Sequence, residues 1–84
     1  MHLDWHQTGQ ALFANAVGRE YIIFKRLTVT GVRYLAWCDM RSGIFTERGP
    51  IKDADIEGRK AALESLKEAC AGDAEAWGVG RDNW

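Results

Sequence analysis

The apolar pattern of this chain changes period once, at Gly49-Pro50, and that change limits the fold more than any other feature. Before it, apolar residues fall in short runs rich in β-branched and aromatic side chains, broken by glycines. After it, they recur about every 3.6 residues. Proline cannot donate to a ladder and pushes the preceding residue to extended geometry, so the dipeptide is expected to end the last strand. The predicted order is β-β-β-β-α. This is an α+β fold: an antiparallel sheet of three to four strands, then one C-terminal helix packed on one face. With 84 residues there is room for one such domain.

The strands are read at Gln10 to Ala16, Glu20 to Val29, Val32 to Asp39 and Ile44 to Arg48, with turns at Gly18, Thr30-Gly31 and Arg41-Ser42-Gly43. In the helix, Asp53 is the expected N-cap, with Asp55 and Glu57 in the first turn where the dipole favours acids. Ile56, Leu63, Leu66 and Cys70 form the apolar stripe, widened by Ala62 and Ala69. Gly58 is expected to fray the first turns, and Gly72 stands where a C′ residue belongs. The domain is therefore drawn as residues 1–72, with 73–84 (DAEAWGVGRDNW) as a tail ordered only if its tryptophans dock.

A sheet with one helix has one face covered, and the other should read polar if it met water. It does not. Ile22 and Phe24 lie on one parity of their strand, and Tyr21 and Ile23 on the other. Leu35 and Trp37 oppose Tyr34, Ala36 and Cys38 in the same way. Three covers are open to the second face: the Trp5 segment with the Trp77–Trp84 tail, a second copy of the chain, or a foreign partner.

Composition sharpens this. Hydrophobic residues are 46% and charged residues 27%, an ordinary globular balance, and the net charge is −1. That neutrality is an average. Residues 1–52 hold seven basic groups against four acidic ones, net +3, and residues 53–84 hold four against eight, net −4. A mildly basic sheet could meet phosphates, and an acidic helix could occupy a basic groove on another protein.

Catalytic and metal-binding signals are weak. His2, Asp4 and His6 sit near a terminus without helical pattern, and Asp53, Asp55 and Glu57 are explained by the helix dipole. Gly78-Val79-Gly80 follows a helix rather than opening one, so it is no dinucleotide fingerprint. Cys38 and Cys70 read as free, partly buried thiols; a disulfide needs the helix to pack over the Cys38 strand. Neither an enzyme, a cofactor nor a metal is expected. No signal-peptide pattern opens the chain and no apolar run spans a bilayer, so a cytoplasmic setting without membrane contact is expected.

The segments GREYIIFKRLTVTG, YLAWCDMRSGIF and GP-I-KD, followed by RKAALESLKEAC, resemble small phage and prophage proteins of strands then one helix. That resemblance implies a role like that of anti-CRISPR proteins, which mask a host defence complex without catalysis. Its partner would be a host protein or nucleoprotein complex, and a homodimer through the second sheet face stays open. The expected contacts are Tyr21, Tyr34 and Trp37 on the sheet, with Asp55, Glu57 and Glu64 on the helix; at most one of Tyr34 and Trp37 can face the partner. The strand-strand-strand-helix order also resembles the arm-type DNA-binding domain of tyrosine integrases. That alternative would make Arg26, Arg33, Arg41 and Arg48 the nucleic-acid contacts.

Overall fold

The computed structural model describes residues 3–16, 18–39 and 43–82, with side chains through residue 77. Five strands, β1 (His6–Thr8), β2 (Ala11–Ala16), β3 (Arg19–Thr28), β4 (Gly31–Cys38) and β5 (Ile44–Ile51), precede one helix, α1 (Ile56–Asp82). The strands form an antiparallel meander in chain order, β1-β2-β3-β4-β5, and α1 packs on β3, β4 and β5. The α+β reading holds, with one strand more than expected: β1 is three exposed polar residues, so no apolar alternation announces it.

Cross-strand register fixes which side chains share a face. Leu12, Ile23, Ala36 and Thr46 form one row under the helix; Ala14, Tyr21 and Cys38 form a second, and Lys25, Tyr34 and Arg48 a third. Against them α1 lays Ala62, Leu66, Cys70 and Ala74, all buried. A spacing of four residues turns the stripe about 40° at each step, so the helix crosses the sheet obliquely and keeps contact over many turns. Ile56 is 63% exposed and lies outside this stripe, contrary to the sequence reading.

Three boundaries differ from expectation for identifiable reasons. The strand does not end at Gly49-Pro50. The peptide between them is cis, and β5 carries one extra residue between the Val32–Ile51 and Tyr34–Arg48 pairs, so the proline sits in a bulge where no ladder donor is needed. Gly49 has φ +110°, and a Cβ there would lie 2.6 Å from the Val32 carbonyl oxygen.

The helix cap is Asp55 rather than Asp53: its Oδ1 accepts from the Gly58 N–H at 2.9 Å. A Cβ on Gly58 would collide with that carboxylate, so the glycine makes room for the cap. Gly72 does not end the helix, and most of the expected tail continues α1 to Asp82.

Candidate protein-docking surface

The open face of the sheet is built from the opposite parity of the same strands. One row runs His6, Phe13, Ile22, Trp37, Ile44, and the next Thr8, Ala11, Phe24, Leu35, Glu47. Phe13, Ile22, Phe24, Leu35, Trp37 and Ile44 therefore form one apolar strip across four adjacent strands. None of them belongs to the core cluster beneath α1, but Leu35 is itself buried at 4% exposed; Phe13, Ile22, Phe24 and Trp37 are half-buried and Ile44 is exposed. At one end the strip is bounded by Arg26 and Arg33, paired across the β3–β4 ladder; at the other by Glu20 and Asp39. Asp39 is held in place, since its Oδ1 accepts from the Glu20 N–H at 2.9 Å. Arg33 is engaged by Glu47 at 3.3 Å, leaving Arg26 exposed as the stronger basic feature.

The segments expected to fold over this face go elsewhere. Leu3 is buried in the helix-side core and Trp5 packs against it; together they flank a groove of about 450 Å³ beside Glu64, Lys67 and Ala71 of α1. Trp77 lies on the same side, with the Arg19 guanidinium 4.9 Å from its ring centroid. Trp84 lies outside the described residues. Among the described residues, α1, Leu3 and Trp5 all pack on the side of the sheet away from the strip.

Beneath the helix, a polar cluster ties the far end of α1 to the sheet. Arg19, only 7% exposed, donates from Nε to Cys38 Sγ at 3.2 Å and places Nη2 3.6 Å from Asp73 Oδ2. The Tyr21 hydroxyl donates to the same Asp73 oxygen at 2.6 Å. Burial, then this bond to a carboxylate, holds the Tyr21 phenol well above its ordinary value. The hydrogen bond to Cys38 is the largest influence raising the Arg19 guanidinium, ahead of Asp73. Burial pushes the Cys70 thiol up to about 12. Both cysteines are free, fully buried and in the same core cluster.

A reactive cysteine needs an accessible thiolate with a base or cation positioned for chemistry, and these two are closed in. A second cleft of about 200 Å³ lies between the β1–β2 turn and the start of α1, lined by Lys25, Tyr34 and Arg59. There Arg59 Nε donates to the Tyr34 hydroxyl at 2.9 Å, and Nη1 reaches Asp53. Among the described residues, no group of three histidine, cysteine or acidic side chains could hold a metal. No helix among the described residues is long and apolar enough to cross a membrane.

The residues singled out by sequence separate accordingly. Tyr21 and Tyr34 are 0% and 3% exposed beneath the helix, so neither can touch a partner; of the three sheet aromatics, Trp37 alone lies on the open face. Strand parity separates Tyr34 from Trp37 but does not determine which of them the helix covers. Asp55 is occupied in capping, Glu57 is exposed, and Glu64 is exposed with Lys67 at 3.7 Å.

The four arginines do not form one surface. Arg26 and Arg33 are on the open face, whereas Arg48 is on the helix face, donating to Ser65 Oγ at 3.0 Å and Thr46 Oγ1 at 2.9 Å. Arg41 lies outside the described residues. The sequence reading does not include Phe13, Ile22, Phe24 and Ile44 among the contacts, although parity places Ile22 with Phe24 on one face of β3; Leu35 shares that face but is buried at 4% exposed. Comparison with protein-family models, curated proteins and solved structures finds no match.

Proposed function

We propose that this chain is a non-catalytic protein-binding module whose docking surface is the open face of its sheet. The carrying observation is the contiguous apolar strip of Phe13, Ile22, Phe24, Trp37 and Ile44, part-exposed around a buried Leu35 on the face of the sheet away from α1. Contiguous apolar strips rimmed by charge are uncommon on isolated soluble domains and typical of interfaces, where aromatic side chains serve as anchors. The strip is broad and shallow rather than a pocket, which suits a protein surface better than a small substrate. Nothing favours the nucleic-acid alternative, because its arginines are divided between two faces and two of them are engaged with Glu47 and Ser65.

The narrower reading, carried by the resemblance to phage proteins, is that the module masks a host defence complex of CRISPR type. A photo-activated cross-linker placed at Phe24 tests the docking surface, with Val29 at the exposed β3–β4 turn as control. Discrete protein adducts at position 24 and few at 29 are expected; equal yields at the two positions would sink the reading. For the inhibitor, expression in a CRISPR-immune host should restore plaquing by the targeted phage, and Phe24→Asp should abolish that restoration. Unchanged immunity across hosts carrying different CRISPR types would remove it.

A further inference from the structure

We infer that the occupant of the open face is a second copy of this chain, packed sheet to sheet about a two-fold axis that runs across the strands. The inference rests on the docking reading and adds the partner and its orientation. It comes from a palindrome written in the β3–β4 hairpin. Along the open face, β3 presents Glu20, Ile22, Phe24, Arg26 and β4 presents Arg33, Leu35, Trp37, Asp39, the same order of acid, two apolar groups and base read in opposite chain directions.

The midpoint of the first series is Ile23 and that of the second is Ala36, and these two residues are partners in the ladder. One axis through that row therefore serves both strands at once. A two-fold rotation about it turns each sheet over and exchanges its ends. Glu20 then faces Arg26 of the second copy, Asp39 faces Arg33, Ile22 faces Phe24 and Trp37 faces Leu35. On β2 the same rotation sets the large Phe13 opposite the small Ala11. An axis along the strands would instead bring arginines onto arginines and acids onto acids, which is destabilising.

Dimensions agree with this occupant. Four strands about 4.8 Å apart, with about 20 Å of strand length each, offer about 400 Å² of flat area per copy. Pairing two corrugated faces then removes on the order of 1,000 Å² of accessible surface, close to the lower bound for a specific interface. Sheets stacked about 10 Å apart and rotated about 30° by their own twist accommodate the contact without distorting either sheet. In the pair, both α1 helices face outward, and Glu57 and Glu64 stay exposed.

Light scattering on eluting protein at micromolar concentration should give twice the 9.4 kDa chain mass. Arg26→Glu and Glu20→Arg each introduce two symmetric like-charge contacts and should weaken the dimer about 30-fold. Combined in one chain they restore opposite charges at both contacts, and the dimer should return to within about threefold of wild type. A double variant as weak as the singles, or singles without effect, would overturn the orientation.

Maleimide labelling of Ile22→Cys separates this inference from the reading beneath it, because Cys38 and Cys70 are fully buried and contribute little background. Labelling that slows as protein concentration rises supports the dimer. A monomer that labels fast at every concentration removes the dimer and leaves the open docking face standing. A monomer that labels slowly means the chain covers its own face, and both fall.

Discussion

Removing the Tyr21 hydroxyl asks whether α1 is held to the sheet beyond Gly72. In Tyr21→Phe the ring still fills its fully buried site, so packing changes little and the loss is confined to one bond, the 2.6 Å donation to Asp73 Oδ2. A hydrogen bond to a charged group contributes about 1.5–3 kcal/mol, and the slightly greater apolarity of phenylalanine offsets part of it, so a net loss of about 2 kcal/mol is expected. Asp73 keeps the longer Arg19 contact at 3.6 Å in partial compensation. For a domain of this size, 2 kcal/mol corresponds to a fall in Tm of roughly 10 °C.

The assay is urea unfolding of wild type, Tyr21→Phe, Asp73→Ala and the double variant, with the coupling energy taken from the cycle. A coupling of about 1–2 kcal/mol is expected for groups in direct contact. A loss under about 0.5 kcal/mol in Tyr21→Phe, the ordinary range for an uninvolved surface position, would refute the reasoning. It would mean that Asp73 is in water and that the helix ends near Gly72.

Gly58→Ala should be close to neutral in wild type, because the gain in helix propensity of about 1 kcal/mol is offset by displacement of the Asp55 cap; in an Asp55→Ala background the full gain should appear in thermal melts. Gly49→Ala should cost at least about 2 kcal/mol in urea unfolding, since φ is +110° and the new Cβ would press on the Val32 carbonyl. Stability should also fall at alkaline pH. The Cys70 thiol rises from 9.0 to about 12 in the fold, so its contribution is intact below pH 9 and is lost as pH climbs toward 12, at up to about 1.4 kcal/mol per pH unit. Tyr21, raised from 10.0, adds to the slope above pH 10, and Cys70→Ala should flatten the curve between pH 9 and 10 if this assignment is right.

Strand parity was legible because β-branched and aromatic runs carry it directly, and the break at Pro50 separated sheet from helix. Three things were not. β1 is polar and exposed, so only its pairing with β2 defines it. Propensity at Gly72 favours a stop by about 1 kcal/mol, and tertiary contacts override it: the Asp73 bonds, the buried Ala74 and the Trp77–Arg19 stack all lie beyond that glycine. The third was which parity would receive the helix. Both parities are apolar, so alternation alone cannot choose, but residue size could have. Ala14, Ala36 and Cys38 share the covered face with Ala62, Cys70 and Ala74 opposite them, and small side chains are what let a helix come close to a sheet.

That distribution of volume bears on function. The covered face combines small residues with two hydrogen-bonded tyrosines and aliphatic groups such as Leu12, Ile23 and Val32, while the open face holds two phenylalanines, a tryptophan, a leucine and two isoleucines. Folding alone would be served by threonine or lysine there, since one solvated face is normal for an antiparallel sheet. The contrast yields a stability test that needs no partner. Leu66 is 0% exposed beneath the sheet's covered face, and Leu66→Ala should cost about 3 kcal/mol. Phe24 is half-buried among neighbours on its own sheet, so Phe24→Thr, which keeps β propensity, should cost only about 1 kcal/mol in the monomer. Urea unfolding at concentrations low enough to exclude association compares the two. Equal losses would show that the chain buries its second face within itself; a small loss for Phe24→Thr, joined to loss of association at higher concentration, means that this aromatic surface is maintained for contact with another molecule.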